Sequence, residues 1–457
     1  MIETLNPATG NVLATYAVHT RAEQSARLET AVTAFGKWRD TTMARRAELL
    51  GGVASLLVER TEALAQLMTA EMGKPITQAR AEVQKCAWVC RHYAEHGAAA
   101  LASRSVETDA SESHVRFDPL GVVLAIMPWN YPLWQVMRFA APTLMAGNTG
   151  LLKHASGTTG CGVALEQLFA DAGAPSGVFA HVRASNDDVA AMVADRRLAA
   201  VTLTGSVRAG RAVGRLAGEN LKPCVLELGG SDPLLVLPGA DIGQAVDGAM
   251  VGRFLNNGQS CIAAKRFIVV DELHDAFVDL LSARVRAQTV GDPLDERTDI
   301  GPMARVELAT ELEEIRQATR DAGAVAAVKG GQRADAFGDP SAWFEPCLLT
   351  GVTPGMRAFD EETFGPLAIV ARARDVEHAV ELANESEFGL GASVWTEDVS
   401  LAEGLLPHID AGCVSINGAV KSDPRLPFGG VKDSGYGREL SVEGIRSFVN
   451  IKSVWIR

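Results

Sequence analysis

A chain of 457 residues is too long for one ordinary hydrophobic core, and its 47% hydrophobic to 22% charged balance is that of a folded globular protein. The formal net charge of −13 sets it against a nucleic-acid partner, because a phosphate backbone is read by a basic surface and no basic run occurs here. Seven cysteines, an odd number in so long a chain, do not make a disulfide framework. The start Met1-Ile2-Glu3-Thr4-Leu5 lacks the charged and apolar regions of a secretory signal, and no apolar run reaches the length of a membrane span. A cytoplasmic location is expected.

In chain order, the first third is helical in pattern. Leu49, Leu50, Val53, Leu56 and Leu57 recur at helical spacing, with Arg45, Arg46 and Glu59 expected on the wet face. Short apolar runs then alternate with helical stretches: 122–127, 151–153, 178–182, 200–203 and 224–228. Such alternation predicts parallel sheet with helical crossovers. A second series follows at 234–237, 267–270, 367–370, 392–395 and 414–416, which predicts a second α/β domain. Residues 111–119 differ, since His114-Val115-Arg116-Phe117 alternates polar and apolar as a half-exposed antiparallel strand does. The tail 448–456 reads the same way, and both strands must be covered or paired, which suits a contact between subunits.

Four segments carry candidate chemistry. Asn257-Gly258-Gln259-Ser260-Cys261 puts a thiol on a small, polar loop before an apolar strand, where it could attack a substrate. The other cysteines, at 86, 90, 161, 224, 347 and 413, sit in apolar or plain surroundings. Leu226-Glu227-Leu228-Gly229-Gly230 places a carboxylate between leucines, where desolvation raises it toward a useful general base; a strand-end salt bridge is the alternative. Pro128-Trp129-Asn130-Tyr131-Pro132 follows a strand, so Asn130 is either an oxyanion donor or an N-cap for the next helix. Leu203-Thr204-Gly205-Ser206 leads from a strand into a helix whose N-terminus could take phosphate. His92-Tyr93-Ala94-Glu95-His96 matches a zinc-peptidase spacing, but no third ligand offers itself and a solvated helix face explains it better.

Taken together and in order, these segments resemble the aldehyde dehydrogenase family. The likeness runs from Asn6-Pro7-Ala8-Thr9-Gly10 through Ala146-Gly147-Asn148, Glu362-Thr363-Phe364-Gly365-Pro366 and Pro427-Phe428-Gly429-Gly430 to Phe448-Val449-Asn450. It implies a Rossmann-like cofactor domain over 1–100 and 120–228, a catalytic α/β domain over 229–434, and an antiparallel oligomerisation element from 101–119 and 435–457. It also implies a homodimer or homotetramer. Cys261 would attack the aldehyde carbon, with the oxyanion held by the Asn130 amide and the Cys261 N–H. Hydride would pass to a nicotinamide, and Glu227 would activate the water that hydrolyses the thioester. Lys153 and Glu362 would hold the two riboses, Phe364 would lie near the nicotinamide, and Gly205 and Ser206 would face the pyrophosphate. Trp129, His154, Ala155 and Leu228 would line the same site.

Two departures from the family pattern bear on specificity. Where relatives commonly read Lys-Pro-Ala-Glu, this chain reads Lys153-His154-Ala155-Ser156. A glutamate there would repel a ribose 2′-phosphate and serine would not, so NADP is the expected cofactor, with NAD also accepted. Position 263 is alanine, so a second cysteine two residues after the nucleophile is absent. The run Gly258 to Arg266 and the loop from Val420 to Arg425 are most similar to bacterial succinate-semialdehyde dehydrogenases. That likeness assigns the substrate carboxylate to Arg138 and Ser422, with Lys421 and Arg425 adding positive potential. A buried arginine with an internal carboxylate partner is the alternative for Arg138. Three other readings compete: a non-redox thiol hydrolase or acyltransferase, a relative that passes the acyl group to coenzyme A, and a catalytically silent structural member of the same fold, against which Cys261, Glu227 and Asn130 speak. The first lacks a histidine in a suitable motif, and Glu227 favours water over the second.

Overall fold

The strand Val122–Met127 is almost wholly buried, with no alternation along it, so it must be covered on both faces. It lies near the middle of a six-stranded sheet in the computed structural model, which describes residues 1–333 and 342–457. From Val122–Met127 the chain winds outward through Thr149–His154 to Phe179–His181. It then crosses back to Leu198–Thr204, on the other side of the first strand, and on to Cys224–Glu227. All five strands are parallel, and the order reverses between Val122–Met127 and Leu198–Thr204. Ligands of doubly wound sheets sit at that reversal, beyond the carboxyl ends of the strands.

The second series of apolar runs forms a seven-stranded sheet. Its order is Val325–Val328, Cys347–Thr350, Leu367–Ala373, Ala264–Val270, Asp232–Val236, Gly391–Trp395 and Cys413–Ile416, parallel except at the first edge. The fold is α/β, as expected. The alternating segment Glu112–Pro119 and the tail Val449–Ile456 pair with each other in antiparallel register, Val449 against Pro119 and Ile456 against Glu112. Arg104–Ser105 completes a three-stranded sheet whose outer strand leaves Ile451, Trp455 and Ile456 exposed. The stretch 435–457 therefore divides, because Gly435–Tyr436 forms the antiparallel edge of the six-stranded sheet beside Glu227.

Two expectations for the helical third need correction. Arg46, expected on the wet face of the helix Met43–Glu59, is buried. Its guanidinium donates to the carbonyls of Trp38, Arg39 and Met145 and to Thr41 Oγ1, a set of acceptors that helical spacing cannot reveal. On the helix Ile76–Ala100, His96 is exposed but Tyr93 is buried and donates to the Ser441 carbonyl. No group of three metal-ligating residues exists among the described residues.

Candidate active site

The loop before Cys261 is built under backbone constraint. Asn256, Asn257 and Gly258 follow one another at φ 60°, 57° and 71°, left-handed conformations that asparagine and glycine bear best. Asn257 holds the turn by donating to the Gly73 and Pro302 carbonyls and accepting from the Gly301 N–H. Buried Arg253 donates to the carbonyls of Gly258, Thr363, Gly365 and Leu367. Lys265 donates to the carbonyls of Ser260 and Cys261 and pairs with Glu362 at 3.1 Å. A Cβ at Gly258 would lie 2.4 Å from the Gly365 carbonyl oxygen. Gly258→Ala is therefore expected to cost at least about 1–2 kcal/mol from its backbone alone, seen as a lower urea midpoint together with reduced turnover.

Two cavities meet at Cys261. One, of about 330 Å³, is lined by Cys261, Gln135 and Arg138, by Lys74 just before the helix Ile76–Ala100, by Glu82 and Lys85 on that helix, and by Lys421, Ser422 and Phe428 of the late loop. The other, of about 470 Å³, lies at the switch point of the six-stranded sheet. Its walls are Pro128 to Asn130, Thr204 to Ser206, Leu228, Gly229, Cys261, Glu362 and Phe364. Here the Trp129 and Phe364 rings meet edge to face at 5.7 Å, and Ser206 caps the helix Val207–Glu219 by accepting from the Ala209 N–H. Lys153, His154, Ala155 and Ser156 follow at the end of the adjacent strand and do not line this cleft. Lys153 donates to Asn186 Oδ1, and Ser156 is exposed. The His154 ring is fully engaged between the Pro132 carbonyl and the Ala155 N–H, and burial pushes it down to about 4.

Asn130 is not a helix cap. The helix Trp134–Met145 begins beyond it with no side-chain cap of its own. Glu82 fills that role, its Oε1 accepting from the Leu133 and Trp134 N–H groups while its other oxygen pairs with Lys74. Asn130 donates one amide N–H to the Gln259 carbonyl, 3.0 Å away, which leaves the second free. The Cys261 backbone N–H has no acceptor among the described residues. Burial pushes the Cys261 thiol up to about 12, against the pull of Arg138 and Lys265.

Glu227 is buried and neither of its carboxylate oxygens has a hydrogen-bond partner. Burial first, and then the nearby Glu439, hold it well above the usual carboxylate range, while Arg138 and Arg438 act the other way. It lines neither cavity; its Oε1 lies against Gly429, where a Cβ would be 2.6 Å away. Arg138 is buried on a helix with every residue buried, and it does have an internal carboxylate partner, Glu439. It also approaches Thr204 Oγ1 at 3.5 Å and stands over the Phe428 ring.

Cys261, Glu227, Asn130 and the cavity-lining Arg138 were all reachable from the sequence. Lys85, Glu439 and Lys265 were missed. The only available signal for Lys85 was its spacing from Gln78 and Glu82 along one face of a predicted helix.

Over residues 1–454 the chain matches the aldehyde dehydrogenase family, and it belongs to that family. It is 48% identical over 451 residues to the NAD(P)+ succinate semialdehyde dehydrogenase Sad of Escherichia coli (strain K12), covering 99% of this chain and 97% of that one. It is also 48% identical over 462 residues to the NADP+ succinate-semialdehyde dehydrogenase 1 of Mycobacterium tuberculosis (strain ATCC 25618 / H37Rv), covering 100% and 99%. The crystal structure of succinic semialdehyde dehydrogenase from Streptococcus pyogenes in complex with NADP+ superposes with a TM-score of 0.96 at 35% identity, covering all of both chains.

Proposed function

We propose that this protein oxidises succinate semialdehyde to succinate with NADP, and less readily with NAD, through an acyl thioester on Cys261. The observation that carries the reading is the position of Cys261, the one candidate nucleophile, in the walls of both cavities. One cavity has a cationic, partly apolar wall suited to a small acidic aldehyde. The other fits a dinucleotide: it opens at the switch point onto a helix N-terminus, with two aromatic rings and Glu362 across from it. A bound nicotinamide dinucleotide supplies the hydride acceptor.

The chain's own residues do the rest. Cys261 Sγ, its proton passed to solvent, forms the bond to the aldehyde carbon as the carbonyl π bond opens, and the free Asn130 amide N–H and the Cys261 N–H hold the resulting oxyanion. Lys265 fixes the Ser260 carbonyl, which shares a peptide plane with the Cys261 N–H, and so the pitch of that N–H. Arg138 and Lys265 favour negative charge at the sulfur. Glu227 takes the proton of the water that cleaves the thioester, which requires its side chain to turn from Gly429 toward Cys261. Its lack of any hydrogen bond leaves it free to turn. Arg138 and Ser422 belong to the acid-binding end of the substrate cavity. Lys153, Ser156, Gly205, Ser206 and Leu228 serve the adenosine and pyrophosphate end of the cofactor, and Trp129, Glu362 and Phe364 the nicotinamide end. His154 and Ala155 contribute through backbone, since the His154 ring is engaged.

The exposed apolar side chains of the Val449–Ile456 strand suit a contact between copies of this chain in a homodimer or homotetramer of the cytoplasm. The central test is reduction of NADP and NAD, followed by absorbance, with a panel of aldehydes including succinate semialdehyde and butanal. No reduction with any aldehyde would remove the proposal. Ser156→Glu is expected to weaken NADP about 5- to 10-fold more than NAD, because one charge pair near 4 Å is strong but an exposed site is screened. Equal effects on the two cofactors would place Ser156 away from the 2′-phosphate.

A further inference from the structure

Three buried or half-buried cations line the substrate cavity, and their charges are met differently. Lys74 pairs with Glu82, and Arg138 pairs with Glu439. Lys85 has no carboxylate within ion-pair distance among the described residues. Its Nζ donates to Ser422 Oγ at 2.8 Å and stands 4.2 Å from the centre of the Trp134 ring. An ammonium withdrawn from water is unfavourable until a counter-charge reaches it.

Ser422 adds a second observation. Its buried Oγ accepts from Lys85 and also from Trp134 Nε1, at 3.0 Å. A hydroxyl has two acceptor positions and one hydrogen. With both acceptor positions filled, the O–H must point elsewhere, and it has no acceptor among the described residues. The Ser422 O–H and the two remaining N–H groups of Lys85 thus form three donors without an acceptor at one wall of one cavity. A carboxylate takes such a set and a neutral chain end does not.

We infer that Lys85, together with Ser422, seats the distal carboxylate of the substrate, and that Lys85 is the charge that determines specificity for an acidic aldehyde. The inference rests on the proposed oxidation of succinate semialdehyde. Arg138 stands behind this seat, its own charge met by Glu439. Burial and then Arg138 push Lys85 down to about 8, while Cys86, Glu82 and Asp423 act to hold it up. Trp134 presents its ring face to the Lys85 ammonium, and Lys421 is the exposed cation of the same wall. The ammonium is the binding form, so preference for the acid is present below about pH 8 and is lost as pH rises through that value.

The quantity to measure is the ratio of kcat/KM for succinate semialdehyde to that for butanal. In the unaltered protein a ratio near one would remove the substrate proposal and this inference together. With a large ratio, Lys85→Met is expected to lower it roughly 10- to 100-fold, mainly through KM for the acid, and Lys85→Arg to restore most of it. An unchanged ratio in Lys85→Met would overturn the role of Lys85 and leave the substrate standing. Should Lys85→Met fail to fold, the pH profile of the unaltered protein decides. The ratio should fall as pH rises through about 8, and a flat profile would overturn the inference.

Discussion

Cys261→Ala should lose aldehyde oxidation by roughly 10⁴-fold or more while keeping cofactor affinity within a few-fold. The loss is large because this sulfur alone forms the covalent bond, and no other cysteine is placed to replace it. Cys86, Cys90, Cys161 and Cys347 are buried, and Cys224 and Cys413 line neither cavity. Cofactor affinity should survive because Ser206, the Trp129–Phe364 ring pair and Glu362 keep their places when one sulfur is removed. The Cys261 carbonyl held by Lys265 also remains, so the loop should hold its course. Turnover is read from reduced-cofactor absorbance, and binding from quenching of tryptophan fluorescence, since Trp129 lies in the cleft. Appreciable turnover in this variant would rule out the thioester mechanism.

Glu227→Gln should divide the reaction into its halves. The aldehyde is oxidised before water is needed, so a burst of reduced cofactor near one per subunit should appear and then stall. Steady-state turnover should fall about 10²- to 10⁴-fold, the range of general-base contributions. Mass spectrometry of the quenched protein should find the acyl group on Cys261. A pH dependence accompanies this. The Glu227 carboxyl is held above the usual range by burial, so its basic form grows as pH rises and hydrolysis should quicken with it. That rising limb should be absent in the glutamine variant. Loss of the burst with no acyl adduct would mean that Glu227 acts before oxidation or only supports the fold.

Much of the architecture was legible because it is written in local patterns. A strand buried on both faces reads as a continuous apolar run, as 122–127 does, and the apolar run 267–270 forms the latter part of the buried strand Ala264–Val270, whose start carries Lys265 and Arg266. A half-exposed strand must alternate, and Glu112–Pro119 does. The thiol loop was legible for a related reason: its left-handed backbone demands the asparagines and glycine that mark it. Asn130 was read with two roles open, and the structure closed the capping one by supplying Glu82 from another helix.

By itself, then, the sequence determined the class of fold, the candidate thiol at Cys261, the desolvated carboxylate at Glu227 and the missing glutamate at Ser156. Each depends on a residue and its near neighbours along the chain. Only the tertiary structure decided which charges are met and which remain open. Arg46 is satisfied by carbonyls from the ends of other helices and Arg138 by Glu439, whereas Lys85 meets only a hydroxyl 337 residues away and its charge stays open. The reason is that the free energy of a buried charge depends on distances in space and on the water removed around it, and no spacing along the chain encodes either.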